Sequence, residues 1–295
     1  MSKPEHVTGG AGGPRRLLRM TGALAGLPRP YLTSLYDGWR RAESFADLRA
    51  YCMFVGYPRS GHSLVGSLLD AHPDVVIAHE LDALKYVHAR FGRERIFHLL
   101  LDKSEEFTAR GRRWNGYSYE VPRQWQGRRR RLRVIGDKKG GASTMRLRAN
   151  PELLARLRRT VGVPVKLVHV VRNPFDNIST IVLKTKKRRF TLAEGVDYYF
   201  ELCETVGRTK GATDPADLFE LRHEDFVARP RHKLGELCGF LGVDAADDYL
   251  DACAGVVFDS PRRTRRELAW PDALVDEVRG RMAAYPFLRG YDYSE

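Results

Sequence analysis

The stretch Cys52-Met53-Phe54-Val55-Gly56-Tyr57-Pro58-Arg59-Ser60-Gly61-His62-Ser63 decides how this 295-residue chain is read. Its short apolar run, closed by a glycine and a proline, has the pattern of a strand buried on both faces. Leu64, Leu68 and Leu69 then recur at helical spacing until Pro73, which predicts a helix over 63–71. A strand, a glycine-rich loop and a helix in that order make an anion site, because unpaired N–H groups and the helix dipole both face the loop. Gly56, Gly61 and Ser63 stand at the spacing of the nucleoside-triphosphate loop G-x-x-x-x-G-K-[ST]. His62 takes the lysine position, so the main cation for β- and γ-phosphates is missing. Arg59 puts a fixed-charge fork inside the loop instead. On spacing alone, the same residues also suit an ordinary Gly-Pro turn.

Outward from this loop, strands and helices alternate. Further strands are predicted at 75–78, 132–135, 165–171 and 218–221. Helical patterns occupy 81–91, 151–161, 192–208, 231–241 and 272–284. Such alternation predicts an α/β fold: three layers, α/β/α, around a mainly parallel central sheet. The segment 114–125 has strand and turn residues and reads as a hairpin outside that sheet. Gly9, Gly10, Gly12, Gly13 and Pro14, followed by Pro28 and Pro30, mark residues 1–45 as a flexible basic segment before one domain over 46–295.

The formal net charge is +13. Nine arginines (110, 112, 113, 123, 128, 129, 130, 131 and 133) lie between Thr108 and Arg133 against one acid, Glu120, and four more stand at 262, 263, 265 and 266. Concentrated arginine suits phosphate, sulfate or a polyanion; it equally makes a plain solvated face. Cys52, Cys203, Cys238 and Cys253 are far apart with no C-x-x-C pair, which argues against a zinc site or disulfide framework and suits a reducing compartment. No apolar run reaches the ~18–20 residues of a membrane span. The run 17–27 is short, broken by Arg19 and Thr21, and lacks a cleavage site, so no signal peptide is expected. The expected location is cytoplasmic, with no membrane partner.

A second motif, Val170-Val171-Arg172-Asn173-Pro174-Phe175-Asp176-Asn177-Ile178-Ser179-Thr180, follows a predicted strand and opens a helix. An arginine at the strand end and a hydroxyl in the first helical turns can converge on one phosphate. Capping by Asn173 or Asp176, with Arg172 in a surface ion pair, fits the same letters.

The two motifs resemble those of the 3′-phosphoadenosine 5′-phosphosulfate (PAPS) dependent sulfotransferases, and the resemblance runs from Tyr51 to Tyr291. Tyr57-Pro58-Arg59-Ser60-Gly61-His62-Ser63 looks like the 5′-phosphosulfate loop, where the family has Lys or Arg at the place of Arg59 and usually Thr or Ser at that of His62. The resemblance implies the P-loop-NTPase-like sulfotransferase fold. It also implies sulfuryl transfer from PAPS to a hydroxyl or amine, with no metal required. It places Arg172 and Thr180 on the 3′-phosphate, with Ser179 as a neighbour able to substitute. It places Arg265 in a basic loop closing over the nucleotide, in competition with Arg262, Arg263 and Arg266. Leu69-Asp70-Ala71-His72-Pro73-Asp74 followed by Glu80 is similar locally to protein-tyrosine sulfotransferases, which implies Glu80 as the base, with His79 and His62 as rivals. Lys138 matches a lysine that reaches the transferring sulfuryl group, and Lys139 is its alternative.

Two other readings stand beside this one. A P-loop kinase is disfavoured by His62 and by the lack of an evident magnesium-binding aspartate. A non-enzymatic polyanion binder explains the arginines but not the two ordered motifs. The acceptor is expected to be a small molecule or glycan, and no specific nucleic acid is expected. Tyr117, Tyr119 and Trp125 either wall an acceptor pocket or pack as a hairpin. Oligomeric state is not set by the sequence.

Overall fold

The computed structural model describes residues 45–185 and 190–294. The predicted N-terminal segment, save Phe45, lies outside them. Along the chain, β1 (Ala50–Gly56) leads through α1 (His62–Leu69) to β2 (Val75–Ala78), α2 (Ala83–His88) and α3 (Arg93–Ala109). The hairpin strands β3 (Arg113–Trp114) and β4 (Tyr117–Ser118) follow, then β5 (Val134–Asp137), α4 (Gly140–Ala149), α5 (Glu152–Val161) and β6 (Val165–Val171). The remainder is α6 (Pro174–Lys184), α7 (Leu192–Gly211), β7 (Leu218–Arg222), α8 (His223–Ala228), α9 (Pro230–Leu241), α10 (Asp247–Ala254) and α11 (Asp272–Met282).

Five strands form one parallel sheet in the order β2-β5-β1-β6-β7. Every residue of β1 is buried, as its apolar run requires. Ala50, Cys52 and Phe54 join Leu64, Leu68, Leu234, Leu237 and Tyr249 on one face. Tyr51, Met53 and Val55 join Leu84, Phe97, Leu100, Leu154 and Leu157 on the other. This period-two division gives the predicted three layers. A third cluster packs Tyr57, Val171, Phe175, Tyr199 and Val278 beneath the ends of β1 and β6.

The strand predicted at 132–135 lies at 134–137. Gly136 lowers strand propensity, but a Cβ there would meet the Cys52 carbonyl oxygen at 2.1 Å, so only glycine lets β5 approach β1. Helices α3, α4, α8 and α10 fall outside the predicted elements. In α4 the pair Gly140-Gly141 argues against a helix by propensity. Packing overrides it: a Cβ on Gly140 would lie 2.2 Å from the His62 ring, and one on Gly141 2.8 Å from Pro58. The hairpin predicted over 114–125 is a ladder of 113–118 only. Asn115 (φ 52°) and Gly116 (φ 84°) are both left-handed, as a two-residue hairpin turn demands.

Most of the arginine run holds the fold together. Arg112 is buried and pairs with buried Asp70 at 2.8 Å. Arg130 and Arg131 make forked bonds to Asp74 and Asp47. Arg129 meets Glu105 at 3.6 Å, and Arg128 covers the Trp125 ring. The four cysteines are buried and unpaired. Among the described residues, no helix is long and apolar enough to cross a membrane.

Candidate active site

The site lies at the C-terminal edge of the sheet. The order runs from β1 to β5 and β2 on one side, and to β6 and β7 on the other, so the loops leaving β1 and β6 border a crevice where such sheets bind ligands. The loop after β1 turns on three left-handed residues, Gly56 (φ 133°), Arg59 (φ 72°) and Gly61 (φ 105°). At Gly61 a Cβ would come within 2.6 Å of the His223 ring, so this corner accepts only glycine. The loop is pinned from three sides. Gly56 N–H donates to Thr144 Oγ1 (2.8 Å), Asn177 Nδ2 donates to the Pro58 carbonyl (2.7 Å), and Ser60 Oγ donates to the Tyr57 carbonyl (3.1 Å). Tyr57 is buried against Tyr199, ring centroids 4.4 Å apart. The start of α1 has no side-chain cap, which leaves its first N–H groups facing the loop.

His62 points down from this loop into the sheet. Its Nε2 lies 3.2 Å from the Val55 carbonyl oxygen and its Nδ1 3.3 Å from Ser60 Oγ, and its ring stands edge-on to Phe54. Burial, then the nearby Lys138 charge, push its pKa down to about 3, so the ring is neutral. It fills the space left by Gly56 and Gly140. His79, stacked on Phe107 at 3.7 Å, is pushed down to about 2, again by burial first and Lys138 second.

Arg172, at the end of β6, is buried. Its Nη1 donates to Thr180 Oγ1 (3.2 Å) and to the Arg59 carbonyl (3.3 Å). Its Nη2 donates to the Arg262 carbonyl and to Thr264 Oγ1 (3.1 Å). Thr180 also donates to Thr264 Oγ1 at 3.0 Å. The second motif is therefore bonded directly to the first. Thr264 is a member of this cluster that the sequence reading missed; its only signal was a hydroxyl amid the C-terminal arginines. Ser179 is turned away: its Oγ accepts from Trp270 Nε1 at 3.0 Å inside the core. Arg265 is buried against Asp176, with Nη1–Oδ2 at 2.7 Å and its own N–H on Oδ1 at 2.9 Å. That pair fastens the turn carrying Thr264 to α6.

Glu80 follows β2 in a left-handed conformation (φ 62°), as does Asp82 (φ 65°). The bend is held from below and outside. Asp137 accepts from Leu81 N–H (3.1 Å) and Ala83 N–H (2.8 Å), while Arg146 grips Asp82 through two 2.6 Å bonds. Burial raises the Asp137 carboxyl to about 6. Glu80 Oε1 accepts from Lys138 Nζ (2.7 Å) and Oε2 from Lys139 Nζ (2.6 Å). Partial burial raises the Glu80 pKa, but the two ammonium groups outweigh it and hold the carboxyl at about 2. Lys138, 3% exposed, also donates to Ser63 Oγ at 2.6 Å. It thereby joins the phosphate-type loop to Glu80. Burial lowers its own pKa, opposed by Glu80.

The structure thus gathers Arg59, Ser63, Lys138, Glu80, Arg172 and Thr180 along one edge and sets Ser179 and Arg265 behind it. The loop after β1 is bonded to Arg172 through the Arg59 carbonyl and to the Lys138–Glu80 pair through Ser63. Among the described residues, no group of three or more His, Cys, Asp or Glu side chains converges on a metal position.

Residues 53–248 match the model of the Sulfotransferase family. Among solved structures, the chain is similar to the sulfotransferase domain of the Synechococcus PCC 7002 olefin synthase: 15% identity, 81% of this chain and 96% of that one covered, TM-score 0.52. The sulfotransferase domain from the curacin biosynthetic pathway gives 14%, 81%, 99% and 0.52. Sulfotransferase STF9 from Mycobacterium avium gives 10%, 92%, 83% and 0.51. At these identities the likeness is one of fold. No curated protein matches the chain.

Proposed function

The chain belongs to the sulfotransferase family, and from that premise we propose that it takes the sulfuryl group from PAPS and transfers it to a hydroxyl or amine, releasing PAP (3′-phosphoadenosine 5′-phosphate). One observation carries the choice of donor. The guanidinium of Arg172 is bonded to the Arg59 carbonyl and to the hydroxyls of Thr180 and Thr264, so two anion clusters share one crevice. A donor with a phosphosulfate at one end and a separate phosphate at the other suits this pairing. The residues fit such a ligand: the buried Nε of Arg172 has no hydrogen-bond partner among the described residues, and no side-chain cap bonds the start of α1, where an anion can take the first N–H groups.

In this reading the acceptor O–H or N–H attacks sulfur, the bond between sulfur and the 5′-phosphate oxygen breaks, and the acceptor proton passes to Glu80. Arg59 and the loop N–H groups stabilise the charge that grows on the leaving phosphate. Lys138 leaves Ser63 and Glu80 for the sulfuryl oxygens. Glu80, freed from one of its two lysines, becomes a stronger base at the moment it is needed. His62, turned into the sheet with its ring nitrogens on the Val55 carbonyl and Ser60, and His79, buried against Phe107, are poorer candidates because neither ring faces the crevice. The acceptor is a small molecule or glycan and the setting cytoplasmic. The arginine run gives a polyanion surface little support, since most of its guanidinium groups are bonded to carboxylates or backbone of the fold.

The test is calorimetric titration with PAP, then labelled PAPS offered with carbohydrate, phenolic and peptide acceptors. Arg59→Ala and Arg172→Ala should each abolish PAP binding. Unchanged affinity in either variant removes that residue from the donor site.

A further inference from the structure

The β3–β4 hairpin touches both ends of the reaction centre, although no part of it lies in either phosphate motif. Trp114 stands edge-on to His79, the residue before Glu80, at 5.3 Å. The turn residue Asn115, with its carboxamide oriented so that the oxygen meets donors, accepts from Trp114 Nε1 at 2.7 Å and from Arg59 Nη1 at 3.1 Å. Arg59 Nη2 is held from the other side by the Lys184 carbonyl at 3.1 Å. These tethers use two of the five N–H donors of a guanidinium and leave the others for an anion.

We propose that Asn115 is a positioning residue: it holds the Arg59 guanidinium over the phosphate-type loop before the donor arrives. The inference rests on the reading of Arg59 as the group that meets the 5′-phosphosulfate. A free arginine side chain samples many rotamers and loses that freedom on binding; one tethered beforehand loses less. The left-handed conformation at 115 and 116 accounts for a residue such as Asn or Gly at the turn. It does not account for an amide oxygen within hydrogen-bond distance of a loop arginine 56 positions earlier in the chain.

Asn115→Gly separates the two roles, because Gly-Gly keeps the turn and deletes the amide. PAP affinity is measured calorimetrically in four proteins: wild type, Asn115→Gly, Arg59→Lys, which keeps a charge without the fork, and the double variant. Arg59→Lys, which keeps a charge but not the Nη1 that Asn115 holds, should weaken PAP by no more than about 10-fold, and Asn115→Gly in the wild-type background by a similar factor. In the Arg59→Lys background, Asn115→Gly should change affinity less than about 2-fold, since a residue acting through Arg59 has nothing left to position. Equal weakening in both backgrounds, as a merely structural turn residue would give, overturns the proposal, and so does no weakening in either. If Arg59→Ala leaves PAP affinity unchanged, the donor-site reading fails first and this inference with it.

Discussion

Replacing Glu80 by glutamine tests the centre of the site, because the carboxylate is both the proposed base and the counter-charge of a buried lysine. The side chain keeps its size, so the loss is of charge. With a carboxyl pKa of about 2 in the folded chain against 4.5 ordinarily, the ionised group favours the folded state by at most about 3 kcal/mol at neutral pH. Water reaches a quarter of the side chain, and part of the attraction offsets the cost of burying Lys138, so the expected loss is about 2 kcal/mol. For a domain of this size that is about 4–8 °C in melting temperature. The sign follows from a depressed acid: the contribution is full above pH 4.5 and is lost as pH falls through about 2. The gap between wild type and Glu80→Gln should therefore shrink by roughly half by pH 3. In the variant Lys138 has lost its main partner, so its pKa falls further and the variant regains stability relative to wild type as pH rises into the alkaline range. Turnover with any acceptor found should fall about 10²–10⁴-fold while PAP affinity changes little. Thermal melts across pH, PAP calorimetry and single-acceptor kinetics read these out. A Glu80→Gln protein that melts within 1 °C of wild type at pH 7 would refute the pairing (about 0.5 kcal/mol or less), and one that keeps its turnover would refute the base.

Three further outcomes are expected. Asp176→Asn leaves buried Arg265 without its carboxylate and should cost about 3–5 kcal/mol, with PAP affinity lost as the Thr264 turn detaches from α6; melting and calorimetry check both, and a wild-type melt contradicts the role given to this pair. Gly140→Ala should destabilise by about 1–3 kcal/mol by driving a methyl into the His62 ring, and His62→Ser in the same chain should recover most of the loss in a thermal melt. His62, His79 and His223 are buried and neutral, with pKa values pushed down by burial to about 3, about 2 and about 3. The unfolded chain binds protons first as pH drops below about 6.5, so each should cost about 1–2 kcal/mol of stability at pH 5 relative to pH 7, and their imidazole NMR signals should not titrate above about pH 4.

Much of the architecture was readable residue by residue. The apolar runs of β1 and β6 and the amphipathic pattern of α5 announce buried parallel strands and a covering helix, because burial is continuous along the strands and periodic along the helix. What escaped was set by contacts distant in the chain. Gly136, Gly140 and Gly141 read as breakers of structure, yet each stands where a neighbour from β1 or its loop leaves no room for a Cβ. The helix α3 carries Leu99, Leu100 and Leu101 in a row, which blurs its period.

The same division runs through the site. Sequence by itself marked the loop after β1 and Arg172 by residue type at a strand end, the resemblance to sulfotransferase motifs singled out Thr180, Glu80 and Lys138, and strand ends in a parallel sheet share one edge. Only the tertiary structure decided which hydroxyl and which arginine face that edge. Ser179 and Thr180 are adjacent letters, but successive helical positions point about 100° apart, so one meets Trp270 in the core and the other Arg172. Among four C-terminal arginines, Arg265 went inward because Asp176 awaited it there, while Thr264 beside it turned to the crevice. Composition cannot order such neighbours, for their directions are fixed by partners that lie some 90 residues away in the chain and are adjacent only after folding.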